Sequence, residues 1–253
     1  MTATVAALWR HPIKSHGREA LEAVTLQAGQ TLPWDRAWAV THEDSHIDPA
    51  APAWGPSQNF MIGTRTPGLA GIWARLDEDS ATVTLTHDEL GEITVAPDDR
   101  ADAARLLDWV APLCPANRSR PAAVIRLPDR GVTDTDYPSV SVMNMASHRA
   151  VADRLGSTLE PERWRGNIWL DGLAPWAEEG WIGQRLRIGT AELTIREPVV
   201  RCLHTAANPR TGQRDADTLG ALDALRGERH FGLYAEVTTG GRIALGDSAE
   251  VLE

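Results

Sequence analysis

Apolar residues along this chain recur mostly at intervals of two, in short runs separated by turn residues. Residues 4–10, 23–26 and 36–41 read as short strands, and 82–86 alternates in the two-residue period of a half-buried strand. The helical period appears in 98–114, where Ala103, Leu106, Leu107 and Val110 recur at i, i+3, i+4 and i+7. Two aspartates open that segment, and Pro112 and Pro115 stop it. Further on, 140–143 reads as a strand and 146–155 as a helix closed by Gly156 in the C′ position. More strands follow at 167–170, 185–188 and 191–196, the last with Leu193 and Ile195 alternating against Thr194 and Arg196. Residues 231–238 and 242–245 flank Gly240-Gly241, which predicts a hairpin. Short strands outnumber helices, and the helices are inserted irregularly. That pattern predicts a β-rich α+β fold of barrel-like sheets, and not a doubly wound sheet.

The length of 253 residues allows one large domain or two small ones, and a polar, proline-bearing stretch at 114–121 is the best boundary. Two cysteines, Cys114 and Cys202, cannot build a disulfide scaffold or hold a four-cysteine iron–sulfur cluster. No basic leader and no apolar run near 20 residues marks the chain, so the expectation is a cytoplasmic protein without a membrane partner. A net charge of −10 disfavours nucleic acid and anionic surfaces.

Charge usage sharpens this picture. Of 25 basic residues, 24 are arginine and one is Lys14, in His11-Pro12-Ile13-Lys14-Ser15. Lysine is a compact point charge with three donors, suited to a phosphate or another anion. The second focus is Cys202, between Arg201 and His204, after a strand-like run and before the turn Asn208-Pro209-Arg210-Thr211-Gly212. A thiol beside cations is where a thiolate ligand or nucleophile is placed; the bland alternative is a small buried hydrophobe. Arg163-Trp164-Arg165-Gly166-Asn167 sets two guanidinium groups and an amide before a strand, and Asp35-Arg36 puts another cation at a strand start. Thr133-Asp134-Thr135-Asp136-Tyr137 is a turn rich in donors and acceptors.

No G-x-G-x-x-G, Walker loop or G-x-S-x-G elbow occurs. His42-Glu43-Asp44-Ser45-His46 fits the zinc-hydrolase pattern H-E-x-x-H, which needs a helix so that both imidazoles share a face. Here it follows a strand and enters a turn, so a zinc hydrolase using His42 and His46 is a remote alternative.

Taken in order, these segments resemble the MOSC proteins, the molybdenum-cofactor sulfurase C-terminal superfamily, and among them the two-part members typified by the mitochondrial amidoxime-reducing component and its bacterial relatives. His11-Pro12-Ile13-Lys14-Ser15 is similar to the family's Tyr-Pro-Val/Ile-Lys-Ser, and Asp35-Arg36 to its Asp-Arg before a strand. Asp134-Thr135 falls in its Ser-Asp-Thr-like turn and Trp164-Arg165-Gly166-Asn167 on its Phe-Arg-Pro-Asn. Arg201-Cys202 with 208–212 matches its Arg-Cys…Asp-Pro-x-Thr-Gly; Phe231-Gly232-Leu233-Tyr234 and Gly246-Asp247 match its Phe-Gly-x-Tyr and terminal Gly-Asp. Gly166 stands for the frequent proline, His11 for tyrosine, and Val199 where some members carry a second cysteine.

The resemblance implies an N-terminal β-barrel-like domain over 1–115 and a C-terminal mixed β-barrel with inserted helices over 120–253. It implies a molybdenum cofactor (Mo-molybdopterin) between them, with Cys202 as the metal's thiolate. Lys14, Ser15 and Arg36 hold its phosphate end; Asp134, Thr135, Arg165, Asn167, Arg201 and Tyr234 contact the pterin or line the pocket. The implied reaction is reduction of a small N-hydroxylated compound (amidoxime, hydroxylamine or N-hydroxylated base) by oxygen-atom transfer. Soft thiolate suits such a redox-active centre, and the cofactor carries the hard step. His204 is a candidate proton donor because an imidazole ordinarily titrates near working pH; the alternative is a structural imidazole. Electrons are expected from a separate donor protein of flavin, cytochrome b5 or ferredoxin type, since the chain lacks the cysteines of an appended ferredoxin. Pyridoxal phosphate is not expected. The alternative from another class is a non-catalytic carrier of the cofactor, or of sulfur on Cys202.

Overall fold

A computed structural model describes residues 3–252. In the first half the strands are β1 (Ala3–Arg10), β2 (Glu19–Leu21), β3 (Ala23–Leu26), β4 (Trp38–His42), β5 (Trp73–Asp77), β6 (Thr82–His87) and β7 (Gly91–Val95), followed by helix α1 (Arg100–Val110). The second half holds β8 (Pro121–Arg126), β9 (Val140–Asn144), α2 (Met145–Leu155), β10 (Ile168–Asp171), β11 (Arg185–Ile188) and β12 (Ala191–Val200). It continues with α3 (Thr218–Arg226), β13 (His230–Thr239), β14 (Gly241–Ala244) and β15 (Ser248–Leu252).

The main sheet runs β10-β9-β13-β12-β11-β15-β1, and β1 pairs back onto β10, closing a mixed barrel with β2 on its margin. β9 and β10 are parallel with α2 between them; the other barrel pairs are antiparallel. β1, from the head of the chain, is thus a stave in a barrel otherwise built by the second half. The period-two pattern explains the closure. Leu193 and Ile195 of β12, Leu233, Ala235 and Val237 of β13, and Val5 and Leu8 of β1 all point inward to one core. The first half assembles the three-stranded β5-β6-β7 sheet and, with β8 lent by the second half, the β4-β8 pair, around a second core holding Ile13, Trp38, Leu69, Ile72, Val83, Leu85 and Leu106.

Local signals act as their chemistry predicts. Asp99 caps α1, its carboxylate accepting from the Ala101 and Asp102 amides at 2.9 and 3.0 Å. The helix ends at Val110 and passes into a short 3-10 turn, as Pro112 requires. Gly156 terminates α2 in the left-handed conformation, φ 64°.

Two expectations are corrected. Gly240-Gly241 closes no hairpin: β14 pairs with β3, Gly241 opposite Leu26. The Arg242 amide donates to Thr190 Oγ1 at 2.8 Å, and the Thr190 amide to the Arg242 carbonyl at 3.1 Å, so the strand leaving the glycines is captured elsewhere. The strand expected at residue 36 begins at Trp38, because Arg36 sits at φ 53°. Among the described residues, no helix is long and apolar enough to cross a membrane.

Candidate functional site

β13 faces two ways. Opposite its inward Leu233 and Ala235, Tyr234 looks out from the barrel wall into a cleft of about 220 Å³ that the first half helps to cover. Three segments from the first half reach it: Lys14–Ser15 after β1, Arg36 before β4, and an irregular loop at 57–64. The second half supplies Asp134, Ser141, Arg163–Arg165, and the run 199–205 with Arg201, Cys202 and His204.

Backbone bonds lock the segments together. The Lys14 amide donates to the Trp38 carbonyl (2.8 Å), the Arg36 amide to His11 (2.6 Å), and the Val132 amide to the Arg36 carbonyl (2.7 Å). Among the described residues, six other than glycine have positive φ, and three of them are Ser15 (63°), Arg36 (53°) and Arg165 (51°). Side chains disfavour this region by about 1–2 kcal/mol each, so the fold spends stability to aim cleft residues, as functional sites commonly do.

The charges are arranged around anion chemistry. Lys14 is 3% exposed; its Nζ donates to Asp134 at 2.6 Å and to the Val132 carbonyl at 2.9 Å. Burial pushes the ammonium pKa down, and Asp134 opposes that. Asp35 is buried; it accepts from the His11 amide at 2.8 Å and pairs with Arg36. Burial would raise this carboxyl, but Arg36 and the His11 contacts outweigh it and hold it below the usual range. Arg36 reaches the Arg165 carbonyl at 3.1 Å.

Among the described residues, two of the four guanidinium groups that line the cleft have no carboxylate partner. Arg165 donates to the Gly17 carbonyl at 3.1 Å, and Arg201 to the Phe231 and Trp164 carbonyls at 2.8 and 2.7 Å. Burial, with Arg36 and Arg18 nearby, lowers Arg165 to about 9; burial lowers Arg201 to about 10. Burial without a facing carboxylate disfavours both charges, so an anion entering the cleft would relieve that cost. Trp164 and Phe231 stack at 3.9 Å and form the floor beneath Arg201.

At the mouth stands Cys202, exposed, its Sγ accepting from Thr64 Oγ1 at 3.0 Å. Cys114 is the contrast: it packs in the first-half core, and burial raises its thiol. His204 packs against Gly63 so closely that a Cβ there would lie 1.6 Å from its Nδ1. Burial first, then Arg165 and Arg18, push this imidazole down to about 3. The expectation that His204 titrates near working pH is therefore corrected; it is neutral at pH 7 and retains one N–H.

Most of the sequence-derived site residues converge. Lys14, Ser15, Arg36, Asp134, Arg165, Arg201, Cys202, His204 and Tyr234 all line the cleft. Thr135 does not: it is buried, donating to the Tyr137 carbonyl at 2.6 Å. Asn167 borders a small adjoining hollow, but its amide is committed, accepting from Ser141 Oγ at 2.9 Å and donating to the Trp9 carbonyl at 3.2 Å. It ties three barrel strands together. Gly166 is explained by packing, since a Cβ there would sit 2.1 Å from Met143 Cγ. His42 ends β4 and binds the Gln58 carbonyl through Nε2 at 2.6 Å, while 43–44 form a turn. The helix that H-E-x-x-H chemistry needs is not formed there.

Residues that the sequence did not flag come from the loop: Ser57, Ile62, Gly63 and Thr64. No periodicity marks that segment. Arg18 was also missed; fully buried over the Trp73 ring at 3.9 Å, it donates to the Ala70, Ile72 and Pro209 carbonyls and joins the two halves beside the cleft.

The donor set fits a large anionic group bearing a soft metal. One exposed thiol, one lysine and two carboxylate-free arginines suit a thiolate ligand beside phosphate or other anionic oxygens.

Comparison with known proteins bears on the family. The MOSC N-terminal beta barrel domain matches 2–111 and the MOSC domain matches 129–250. Mitochondrial amidoxime-reducing component 1 of Mus musculus is 25% identical, covering 98% of this chain and 82% of its own. A molybdenum cofactor sulfurase of Drosophila grimshawi is 38% identical over 37% of this chain, which spans only 12% of that protein. The crystal structure of YuaD protein from Bacillus subtilis superposes with TM-score 0.48 at 13% identity, over 99% of this chain and 96% of the other. The chain belongs to the MOSC proteins, and to those in which a MOSC N-terminal beta barrel domain precedes the MOSC domain.

Proposed function

We propose that this protein is a molybdenum-cofactor-dependent oxidoreductase that reduces N-hydroxylated compounds, with Cys202 as the protein ligand to the metal. The observation that carries the reading is the exposed Cys202 thiol at the mouth of a cleft in which Arg165 and Arg201 have no carboxylate partner. Likeness to the amidoxime-reducing component over nearly the whole chain supports the substrate class.

When bound, the cofactor supplies the oxygen-accepting, two-electron chemistry; the protein binds, orients and screens. Lys14 and Arg36, with Ser15 beside them, would hold the phosphate end. Buried cations fixed by Asp134 and Asp35 are already aimed before the anion arrives, so little ordering entropy is lost on binding. Arg165 and Arg201 would face the remaining anionic oxygens and sulfurs. The neutral His204 can donate one hydrogen bond into the cleft but holds no spare proton at pH 7. Protons for the reaction therefore enter from solvent at the exposed mouth, and electrons from a separate donor protein.

The test is turnover of benzamidoxime by molybdenum-loaded protein with an artificial electron donor. Turnover that disappears in Cys202→Ser supports the reading. A fully loaded protein that never turns over any amidoxime or hydroxylamine leaves it a cofactor carrier.

A further inference from the structure

The Cys202 sulfur accepts a hydrogen bond from a residue 138 positions away, in the half of the chain that supplies no thiol to the cleft. We propose that Thr64 is a positioning residue for Cys202: its hydroxyl fixes the sulfur and draws charge from it, and so tunes whatever metal that sulfur holds. The inference rests on Cys202 being the metal ligand.

The geometry is built for this task. Thr64 Oγ1 lies 3.0 Å from Sγ and has no other hydrogen-bond partner among the described residues. A sulfur held as a metal's thiolate has no proton to give, so toward it the threonine is the donor. The loop that carries it is held at several points. The Arg65 and Thr66 amides close a turn on the Ile62 carbonyl at 3.0 and 2.9 Å. The Thr64 carbonyl accepts from Arg214 at 2.7 Å, and Gly63 packs against the His204 ring. The loop is therefore fastened to the chain that follows the cysteine, at His204 and at Arg214. Outer partners of this kind orient metal ligands, and hydrogen bonds to thiolates help set reduction potentials. Withdrawing charge from sulfur makes a bound metal easier to reduce.

Thr64→Val keeps the shape and removes the donor; Thr64→Ser keeps the donor and removes the methyl. In loaded protein, a redox titration followed by the Mo(V) paramagnetic signal should move to lower potential in Thr64→Val and stay at the wild-type value in Thr64→Ser. In cofactor-free protein, alkylation of Cys202 by a neutral reagent at fixed pH 7, mapped by mass spectrometry, should slow roughly two- to five-fold in Thr64→Val and recover in Thr64→Ser. Equal potentials and equal alkylation rates in wild type and Thr64→Val would overturn the proposal, as would a serine variant that behaves like the valine one. Wild-type protein that takes up no molybdenum defeats the ligand reading, while the alkylation arm still decides whether Thr64 acts on the sulfur.

Discussion

The inner and outer faces of β13 make the most useful comparison in this molecule. Inward, Leu233, Ala235 and Val237 share an apolar core with strands from both ends of the chain. Outward, Tyr234 faces a cleft lined by a lysine, four arginines and a thiol. One strand therefore serves cohesion on one side and chemistry on the other, because successive side chains point to opposite faces. Stability and reactivity are thus separable by substitution, which a site dug into the core would not allow. Size is a poor guide to which hollow matters. A larger one, about 400 Å³, lies by Trp34, Arg126 and Arg130, yet it has no thiol and its Arg126 is already paired with Asp98.

The separation can be attacked at its strongest point first. Cys202→Ser should abolish molybdenum retention and turnover while shifting stability by no more than about 0.5 kcal/mol, since the side chain is exposed; metal analysis beside urea unfolding reads both. Ile195→Ala is the reciprocal change and should cost about 2–5 kcal/mol through the cavity it leaves. Molybdenum per folded molecule should be unchanged, and a proportional loss of metal would show that the two faces are coupled. Lys14→Met should weaken cofactor retention several-fold more than it weakens the fold, because it removes a buried cation and unpairs the half-exposed Asp134.

A pH effect sharpens the comparison further. Burial lowers His11 to about 3 and His16 to about 4, from an ordinary value near 6.5. As pH falls below about 6.5 the unfolded chain takes up protons that the folded one refuses, so stability should fall from there toward pH 4. Urea unfolding of cofactor-free protein at pH 7 and pH 5 measures it, and His16→Gln should flatten the slope. The smallest effect belongs to Asp99→Ala, which removes the α1 cap far from the cleft and should cost about 1 kcal/mol with turnover intact.

Legibility in the sequence followed the range of the interactions. β12 could be read from Leu193 and Ile195, and α2 from its period and Gly156, because neighbours in sequence carry those signals. The helix α3 carries the same kind of local signal, with Asp217 as cap and Gly227 as stop, but its nine residues leave only a short apolar run between them. β2, of three residues, is too short for periodicity to define. Among site residues, those in motifs were found. Thr64 was missed because nothing nearby marks it; its meaning is one contact across 138 positions. His204 was misjudged because an imidazole's ordinary pKa says nothing of the burial and the two arginines that displace it.

The amino-acid order alone determined the β-rich class, the strand faces, the helix ends and the choice of Cys202 and Lys14 as chemical foci, since each depends on residue type and short-range spacing. Tertiary structure decided that β1 closes the barrel of the other half, that β14 joins β3, and that Thr135 and Asn167 spend their side chains on hydrogen bonds within the fold. It also set the protonation of the buried histidines. Those outcomes depend on which distant groups exclude water and which charges they bring, and neither quantity is encoded in any local stretch of chain.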